Sequence, residues 1–239
     1  MYQTLLKPIF LDVKNLLLDV FFPITCCVCN LEGQFVCQDC LKKLAVLEKQ
    51  KCILCQKPAP FGLTHPDCKM TFGAEQAISF FDYHDKNVDT ILINGKYKFL
   101  PEIYRILGKI ISEKIKINYP ELLNNFLLVP LPLHKFRHRW RGFNQAEILC
   151  QELSNNLNLK ILDCLKRSRQ TKTQKNLKKE ARLKNVVGAF DFKKNLNIYG
   201  HKIILVDDVT TTGATLLEAA KVLKKNGAAQ VVCLTVAKD

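Results

Sequence analysis

Residues 202–215 read KIILVDDVTTTGAT, and this stretch decides the fold. Its first five residues, KIILV, form a short apolar run that is typical of a buried strand. Residues 215–226 then place leucines and alanines at helical spacing, and Gly227 follows where a left-handed cap is expected. A second apolar run covers residues 230–236. A strand that leads directly into a helix and then into another strand predicts a parallel sheet covered by helices.

Segments upstream of this stretch repeat the same alternation. Residues 125–129, NFLLV, form a short apolar run that ends at Pro130 and predict another buried strand. Residues 143–157 have helical spacing, and residues 159–165 predict a weaker strand. We therefore expect an α/β domain over residues 75–239, built on a parallel sheet flanked by helices.

Polar residues follow the strand at residues 202–206 and predict a ligand site. Asp207 and Asp208 come at the carboxyl end of that strand, where parallel α/β sheets bind their ligands. Carboxylates at this point accept hydrogen bonds from ribose hydroxyls or help to hold Mg²⁺. The N–H groups at the start of the next helix attract a phosphate. The residues available to wrap that phosphate are Thr210, Thr211, Thr212, Gly213, Ala214 and Thr215.

Two interpretations of this loop are open. A strand-end turn followed by a threonine cap is the simpler one, but a single threonine would serve for that. Four threonines within six residues favour a site for the phosphate and ribose of a phosphoribosyl compound. The ligand we expect is phosphoribosyl pyrophosphate together with Mg²⁺.

Cysteines concentrate in residues 24–72, a segment that lacks apolar periodicity and is dense in Cys, Gly and Pro. Two Cys-x2-Cys pairs supply the ligand set of a structural zinc site, because each pair can place two sulfurs on one ion. These four residues are Cys26, Cys29, Cys37 and Cys40. A second set starts with Cys52 and Cys55 and continues to Cys68, and His65 could complete it; the alternative is that this second set is empty. Cys27 is a bystander beside Cys26.

The positive charge of the chain is concentrated in two stretches. The net charge is +14, and residues 166–184 hold nine Lys and Arg against one acid. Lys135, Arg137, Arg139 and Arg141 add four more, with no acid among them. This distribution predicts a surface that faces a polyanion, although a solvated basic helix face would have the same pattern. Few aromatic residues lie in the basic stretches, so we expect binding dominated by phosphate contacts and strongly dependent on salt.

The first 23 residues predict an amphipathic helix that ends at Pro23. Its apolar positions are interrupted by charged residues, so the helix is too charged to span a bilayer. It could pack on the rest of the protein or lie on a membrane surface, and we favour packing because its polar face is not strongly basic. The sequence has no secretory signal, so we expect a cytoplasmic protein. Closely spaced thiols in that compartment are more often metal ligands than disulfides.

Several motifs together resemble the ComF family of competence-related proteins. The loop at residues 207–215 matches the signature of type I phosphoribosyltransferases. The resemblance extends over nearly the whole chain. Its motifs are FP at residues 22–23, the cysteine pairs, VPLP at 129–132, RWRGFNQ at 139–145, RSRQTKTQKNL at 167–177, Arg182 and Asn185. The resemblance implies a type I phosphoribosyltransferase fold with an N-terminal zinc-binding module. One departure is Thr71, where the family commonly has a further cysteine three residues beyond Cys68.

The resemblance also implies roles for individual residues. Asp207 and Asp208 would meet the ribose hydroxyls, and residues 211–215 would wrap the 5′-phosphate. A loop containing Leu131, Pro132 and Leu133 would bind pyrophosphate through backbone N–H groups, with its prolines permitting an unusual peptide geometry. Arg139 and Arg141 would neutralise the pyrophosphate, and Asn144 and Gln145 could orient Arg141 or a base. Residues 166–185 would form a mobile loop that closes over the site.

Two functions follow from the resemblance. The first is Mg²⁺-dependent transfer of ribose 5-phosphate to an unknown acceptor, in nucleotide or cofactor metabolism. The second, which we favour, is the handling of single-stranded DNA during natural transformation at the inner face of the membrane, with a DNA-uptake helicase or inner-membrane channel proteins as partners. The residues predicted to contact DNA are Arg137, Arg139, Lys172, Lys175, Lys178 and Lys179.

Overall fold

A computed structural model describes residues 23–68, 73–169 and 185–239 of the protein. The helices of these segments are α1 (Gln38–Lys42), α2 (Lys86–Tyr97), α3 (Pro101–Asn118), α4 (Lys135–Arg141), α5 (Gln145–Leu157) and α6 (Ala214–Lys225). The strands are β1 (Gln76–Asp82), β2 (Phe126–Pro130), β3 (Lys160–Ile161), β4 (Leu165–Arg167), β5 (Phe190–Phe192), β6 (Lys202–Thr210) and β7 (Gln230–Lys238). Short 3-10 helices cover Pro60–Gly62 and Pro120–Leu123. The helix predicted for residues 1–23 lies almost wholly outside the described residues.

Five strands form one parallel sheet, in the order β1-β7-β6-β2-β3. This confirms the predicted parallel sheet with helices around it. The prediction of one strand over residues 159–165 is wrong, because this segment contributes to two short strands in different sheets. β3 pairs with β2, whereas β4 pairs antiparallel with β5 in a separate two-stranded sheet. An α/β sheet of this kind binds ligands at the carboxyl edge of its strands, where β2 and β6 lie side by side.

The two faces of the sheet have separate cores. On one face Ile204 and Val206 of β6 join a cluster of buried side chains from α2, α3 and α5. On the other face Ile203 and Leu205 join a cluster that includes the inner side of α6. Successive residues of a strand point to opposite faces, so the alternation along β6 assigns each side chain to one core. Gly227 follows α6 with a φ of +93°, the left-handed geometry predicted for it.

The cysteine-rich segment covers the open edge of the sheet at β1. Leu47 donates its N–H to the carbonyl of Phe80 at 2.9 Å, and Thr64 donates to Glu75 at 2.9 Å. These bonds satisfy backbone groups that an edge strand would otherwise expose. The same segment reaches both cores, because Cys26 belongs to the cluster under α3 and Ile53 to the cluster under α6. The module is therefore continuous with the sheet in its packing.

Within residues 23–68, 73–169 and 185–239, no helix has the length and apolar character needed to cross a membrane.

Candidate functional site

A notch between β2 and β6 forms the centre of the site. β2 ends at Pro130, which is opposite Val206, but β6 continues to Thr210 because it stays paired with β7 as far as Lys238. The prediction that the strand ends before the acidic pair is therefore wrong. Asp207 and Asp208 are part of β6 itself, at the point where one neighbouring strand has stopped. Beyond Pro130, β6 therefore has no neighbouring strand on this side within the described segments, and this gap in the sheet is the notch.

Asp208 points to the face covered by α2, α3 and α5, and is only 4% exposed. Its Oδ2 lies 2.8 Å from Lys96 Nζ and accepts a hydrogen bond from Gln145 Nε2 at 3.3 Å. Its Oδ1 accepts the N–H of Val209 at 2.8 Å. Burial of a carboxylate requires a charged partner and hydrogen bonds, and Lys96 and Gln145 supply them.

Asp207 points to the opposite face of β6. Removal from water, together with the neighbouring charge of Asp208, raises the pKa of Asp207 to about 7. The N–H of Asp208, which donates to Asp207 Oδ1 at 2.8 Å, and the charges of Lys96 and Arg167 act in the other direction. A cation arriving at Asp207 would favour the ionised form of this carboxyl group.

Three cationic side chains approach the acidic pair. The buried Arg141 donates a hydrogen bond from Nη1 to Gln145 Oε1 at 2.7 Å. Gln145 in turn donates to Asp208, so it links Arg141 to that carboxylate. Arg141 Nε has no hydrogen-bond partner among the described residues. Arg167 lies over the ring of Phe190, 5.3 Å from its centroid, and burial together with the charge of Arg137 lowers the pKa of Arg167 to about 10. Gln145 therefore contacts Arg141, the first of the two partners predicted for it.

Sequence reasoning did not select Lys96 or Arg167 for the acidic pair. Lys96 occupies the last turn of α2, after the buried residues Asn94 and Gly95. The sequence did contain one indication that Lys96 is partly buried, because this lysine follows the buried positions of an amphipathic helix. Arg167 is part of a motif that supports the family resemblance, but the strand prediction stopped before it.

The threonine-rich loop connects β6 to α6. Thr212 Oγ1 accepts the N–H of Ala214 at 3.4 Å, and Gly213 adopts a left-handed φ of +76° before the helix begins. A Cβ atom on Gly213 would overlap Cγ1 of Ile53 and lie 3.1 Å from the carbonyl oxygen of Ile53. Thr211, Thr212 and Thr215 are half-buried, whereas Thr210 is buried. The start of α6 has no acidic residue in its first turn, so its N–H groups are suited to an anion.

The loop after β2 forms the other wall of the notch. Leu131 donates its N–H to the carbonyl of Val206 at 2.9 Å, and its own carbonyl accepts from Asn144 Nδ2 at 3.1 Å. Asn144 also caps α5, since its Oδ1 accepts the N–H of Ala146 at 3.1 Å. Asn144 therefore holds the loop and does not hydrogen-bond Arg141, one of the two alternatives predicted for it. Peptide bonds in the described segments are all trans, so the unusual geometry predicted for this loop is wrong.

A cavity of about 300 Å³ adjoins this loop. Pro132 and Leu133 line it, together with five basic side chains and the acids Glu147 and Asp163. The basic residues are Lys135, Arg139, Lys166, Arg167 and Lys193. This composition suits a multiply charged anion. The predicted residues Lys172, Lys175, Lys178 and Lys179 lie outside the described residues, as does most of the predicted mobile loop.

Both cysteine sets come together in clusters that could hold a metal ion. Within each cluster, the ligand atoms all lie within 4.8 Å of one another. The first cluster contains Cys26, Cys29, Cys37 and Cys40, and the second contains Cys52, Cys55, His65 and Cys68. In the second, His65 Nδ1 is 3.2 Å from Cys55 Sγ, as expected if His65 takes the place of the absent fourth cysteine.

One thiol of each cluster ionises more readily than a free cysteine, whereas burial raises the pKa of Cys68 to about 11 and raises that of Cys40 further. Burial opposes ionisation of Cys26, but backbone N–H groups, of which that of Cys37 contributes most, outweigh it and lower the pKa of Cys26 to about 6. Burial likewise opposes ionisation of Cys52, and backbone N–H groups led by that of Cys55 lower its pKa to about 6. Burial raises the pKa of Cys27 to about 11, which agrees with a bystander. Thiolate is the form that binds metal.

Known proteins are similar to this chain in sequence. The family described as "Phosphoribosyl transferase domain" matches residues 141–239. Competence protein ComFC of Bacillus subtilis is 33% identical over 214 residues, which cover 85% of this chain and 84% of that protein. DNA utilization protein YhgH of Escherichia coli is 43% identical over 110 residues, 45% of this chain and 48% of that protein. A hypoxanthine phosphoribosyltransferase structure from Staphylococcus aureus matches at 10% identity and a TM-score of 0.37, over 58% of this chain and 65% of that one.

The similarity to Competence protein ComFC extends over most of both chains. A phosphoribosyltransferase domain occupies the carboxyl-terminal part, as the family resemblance implies. The chain therefore belongs to the ComF family.

Proposed function

We propose that this protein handles single-stranded DNA during natural transformation and binds phosphoribosyl pyrophosphate, or a related phosphate ligand, in the notch between β2 and β6. The observation that carries the proposal is the acidic pair on β6, enclosed by Lys96, Arg141 and Arg167. Carboxylates accept hydrogen bonds from hydroxyls and cations pair with phosphates, so the two together suit a ligand that carries both groups.

Each wall of the notch would contact one part of the ligand. Asp207 and Asp208 would accept hydrogen bonds from the ribose hydroxyls. The N–H groups at the start of α6, with the hydroxyls of Thr211 and Thr212, would bind the 5′-phosphate. The basic cavity beside Leu133 would take the pyrophosphate, and Mg²⁺ bound with it would reduce the charge on the phosphate oxygens.

Catalysis at the same site is a second candidate function. The cations are fixed by contacts within the fold, so they could stabilise a departing pyrophosphate without moving, while the acidic pair positions the ribose. Transfer of ribose 5-phosphate would then need only an acceptor held near the ribose, with no covalent intermediate on the protein. The fold hosts many functions, so turnover must be measured separately from binding.

Calorimetry tests the ligand site directly. Wild-type protein titrated with phosphoribosyl pyrophosphate and Mg²⁺ should give saturable binding. Asp207→Asn combined with Asp208→Asn should weaken that binding at least tenfold, because two hydrogen-bonded acceptors for ribose are lost. Asp191→Asn, a change at an exposed carboxylate on β5, is the control. Absence of heat with wild-type protein would overturn the site assignment.

Single-stranded DNA binding is supported by the distribution of charge. Arg139 is exposed on α4, and the stretches rich in Lys and Arg flank the ligand notch in the sequence. Affinity for an oligonucleotide should fall linearly with the logarithm of salt concentration, with a slope steeper than about −2 if three or more phosphates are contacted at about −0.7 each. A flat salt dependence would contradict the proposal.

Transformation assays separate the two candidate functions. If Asp207→Asn and Asp208→Asn abolish transformation while DNA affinity is unchanged, ligand binding or turnover is part of the DNA-handling task. If those variants transform normally, the phosphoribosyl site serves metabolism apart from DNA uptake.

We further propose zinc as the metal of the cysteine clusters, a cytoplasmic location near the inner face of the membrane, and a DNA-uptake helicase or membrane channel as partner.

A further inference from the structure

Three aromatic side chains from two separate segments meet on the surface beside the notch. Tyr97 and Phe99 come from the end of α2 and the loop after it, and Trp140 comes from α4. The ring centroid of Trp140 is 5.9 Å from that of Tyr97 and 5.2 Å from that of Phe99, both in edge-to-face geometry. All three side chains are substantially exposed, Tyr97 at 48%, Phe99 at 44% and Trp140 at 51%.

We propose that Tyr97, Phe99 and Trp140 form a stacking platform for the bases of single-stranded DNA. The inference rests on the DNA-handling function proposed above and names the part of the surface that contacts bases. It also revises the expectation from sequence that phosphate contacts dominate binding, because it adds contacts to the bases. That expectation considered aromatic residues only within the basic stretches, whereas the platform combines residues that the fold brings together.

Backbone geometry at Phe99 supports a role in binding. Phe99 adopts a left-handed φ of +56° just after the end of α2, a position where glycine is the usual residue. A bulky residue in this conformation is strained, and strain of this kind clusters at functional sites. The strained backbone positions the Phe99 ring against Trp140 while leaving much of it exposed to solvent.

The charge around the platform matches a nucleic acid strand. Lys98 lies between Tyr97 and Phe99 in the sequence and is exposed. α4 carries Lys135 and Arg139 on its exposed surface and has no acidic residue. Cations beside exposed rings can hold phosphates while the bases stack, which is how proteins bind single strands without sequence preference. An acidic or purely apolar protein partner would not need both features.

The platform adjoins the acidic pair. Tyr97 follows Lys96, whose ammonium group lies 2.8 Å from Asp208. Trp140 precedes Arg141, which Gln145 links to the same carboxylate. A strand that lies on the platform would therefore run along the rim of the phosphoribosyl notch. The surface is open, so it suits successive bases of a strand better than a single enclosed base.

Tryptophan fluorescence reads this contact directly, because Trp140 is the only tryptophan in the chain. The full-length protein is titrated with an oligothymidylate of about 12 nucleotides, within the range of single-strand site sizes. An abasic strand of the same length keeps the phosphates but has no bases. Oligothymidylate should quench Trp140 emission and bind about tenfold more tightly than the abasic strand, and the abasic strand should leave the emission unchanged.

Variants test the same point by anisotropy of a labelled strand. Trp140→Leu should remove the tenfold preference for oligothymidylate, and Trp140→Phe should restore most of it. Phe99→Gly should reduce the preference without lowering the thermal unfolding temperature, since glycine relieves the left-handed backbone. Tyr199→Leu, at an aromatic residue that is 81% exposed in the loop before β6, is the matched control and should behave as wild type.

The possible outcomes separate the two proposals. Equal affinity for both strands, with no selective quenching, would overturn the platform and leave phosphate-driven DNA binding intact. Failure of wild-type protein to bind either strand at low salt would overturn the DNA-handling function, and the platform with it.

Discussion

Lys96 Nζ lies 2.8 Å from Asp208 Oδ2, and this ion pair joins the end of α2 to the centre of the ligand notch. The Lys96 side chain is 19% exposed and that of Asp208 is 6% exposed, so both charges are largely removed from water. Each charge therefore compensates the burial of the other inside the protein.

Replacement of Lys96 should destabilise the fold. Lys96→Met keeps an unbranched apolar stem but leaves Asp208 buried without its cation, so we expect a loss of about 2 kcal/mol in the free energy of unfolding. Denaturant unfolding at neutral pH measures this change. Lys98→Met, two residues along the chain and exposed, should change the unfolding free energy by less than about 0.5 kcal/mol. Equal effects of the two variants would contradict a structural role for the ion pair.

The raised pKa of Asp207 predicts a specific pH dependence. Between its ordinary pKa of 3.8 and about 7, the folded protein binds more protons at Asp207 than the unfolded chain does. The unfolding free energy therefore falls as pH rises through this window and levels off above the folded pKa. Asp207→Asn should lose this component. Between pH about 5 and about 8, the unfolding free energy of the wild-type protein should therefore fall by on the order of 2 kcal/mol more than that of the variant.

Denaturant unfolding at several pH values isolates the component as the difference between the wild-type protein and the variant. Asp191→Asn, at an exposed carboxyl group, should keep the wild-type pH profile. Parallel profiles for wild-type protein and Asp207→Asn would show that Asp207 titrates alike in the folded and unfolded states.

Local patterns were enough to predict the centre of the fold. β6, the threonine loop and α6 are contiguous in the sequence, and their apolar spacing and turn residues predict each element within a few positions. The cysteine pairs were also predictable, because the spacing of Cys-x2-Cys sets which sulfurs can share an ion. The spacing between His65 and Cys68 indicated the second ligand set in the same way.

Contacts between distant segments were not predictable from the sequence. Lys96 approaches Asp208 only because α2 packs on the sheet, and no local pattern encodes that pairing. The extent of β6 depended on β7, which continues to pair with β6 after β2 has stopped. The cluster of Tyr97, Phe99 and Trp140 likewise forms only when α4 packs beside the end of α2. Packing, rather than propensity, decided each of these features.

Gly213 should tolerate no side chain. It combines a left-handed φ of +76° with a close approach to Ile53, so a Cβ atom meets both backbone strain and steric overlap. Gly213→Ala should lower the unfolding free energy by about 2 kcal/mol and weaken binding of phosphoribosyl pyrophosphate with Mg²⁺. Gly33→Ala is a useful control, because its φ is also positive, at +96°, but no atom lies within 4 Å of the added Cβ.

Calorimetric titration and denaturant unfolding of the two glycine variants separate strain from overlap. Gly33→Ala should show the strain component alone and leave ligand affinity unchanged. A combined Gly213→Ala and Ile53→Ala variant should recover part of the lost ligand affinity, because the smaller side chain makes room for the new methyl group. No recovery would show that the left-handed backbone alone accounts for the defect.

Metal content and ligand binding should be linked through the second cysteine cluster. Ile53 lies between the candidate ligands Cys52 and Cys55 and packs directly under Gly213, in the loop that connects β6 to α6. Wild-type protein should release two zinc ions per chain when its thiols are modified, and Cys68→Ser should release one. Loss of that ion should loosen Ile53 and weaken binding of phosphoribosyl pyrophosphate by about tenfold, a typical coupling between two sites.

Two further cysteine variants serve as comparisons, one outside both clusters and one in the first cluster. Cys27→Ser changes a thiol outside both clusters, so it should keep two zinc ions and wild-type ligand affinity. Cys40→Ser should lose the other ion and destabilise the whole fold, because Cys26, Cys37 and Cys40 are buried in the core beneath α3. A Cys68→Ser protein that retains two ions would remove His65 and its neighbours from the metal ligands. If it loses one ion but binds phosphoribosyl pyrophosphate as tightly as wild type, the contact between Ile53 and Gly213 does not transmit the state of the cluster.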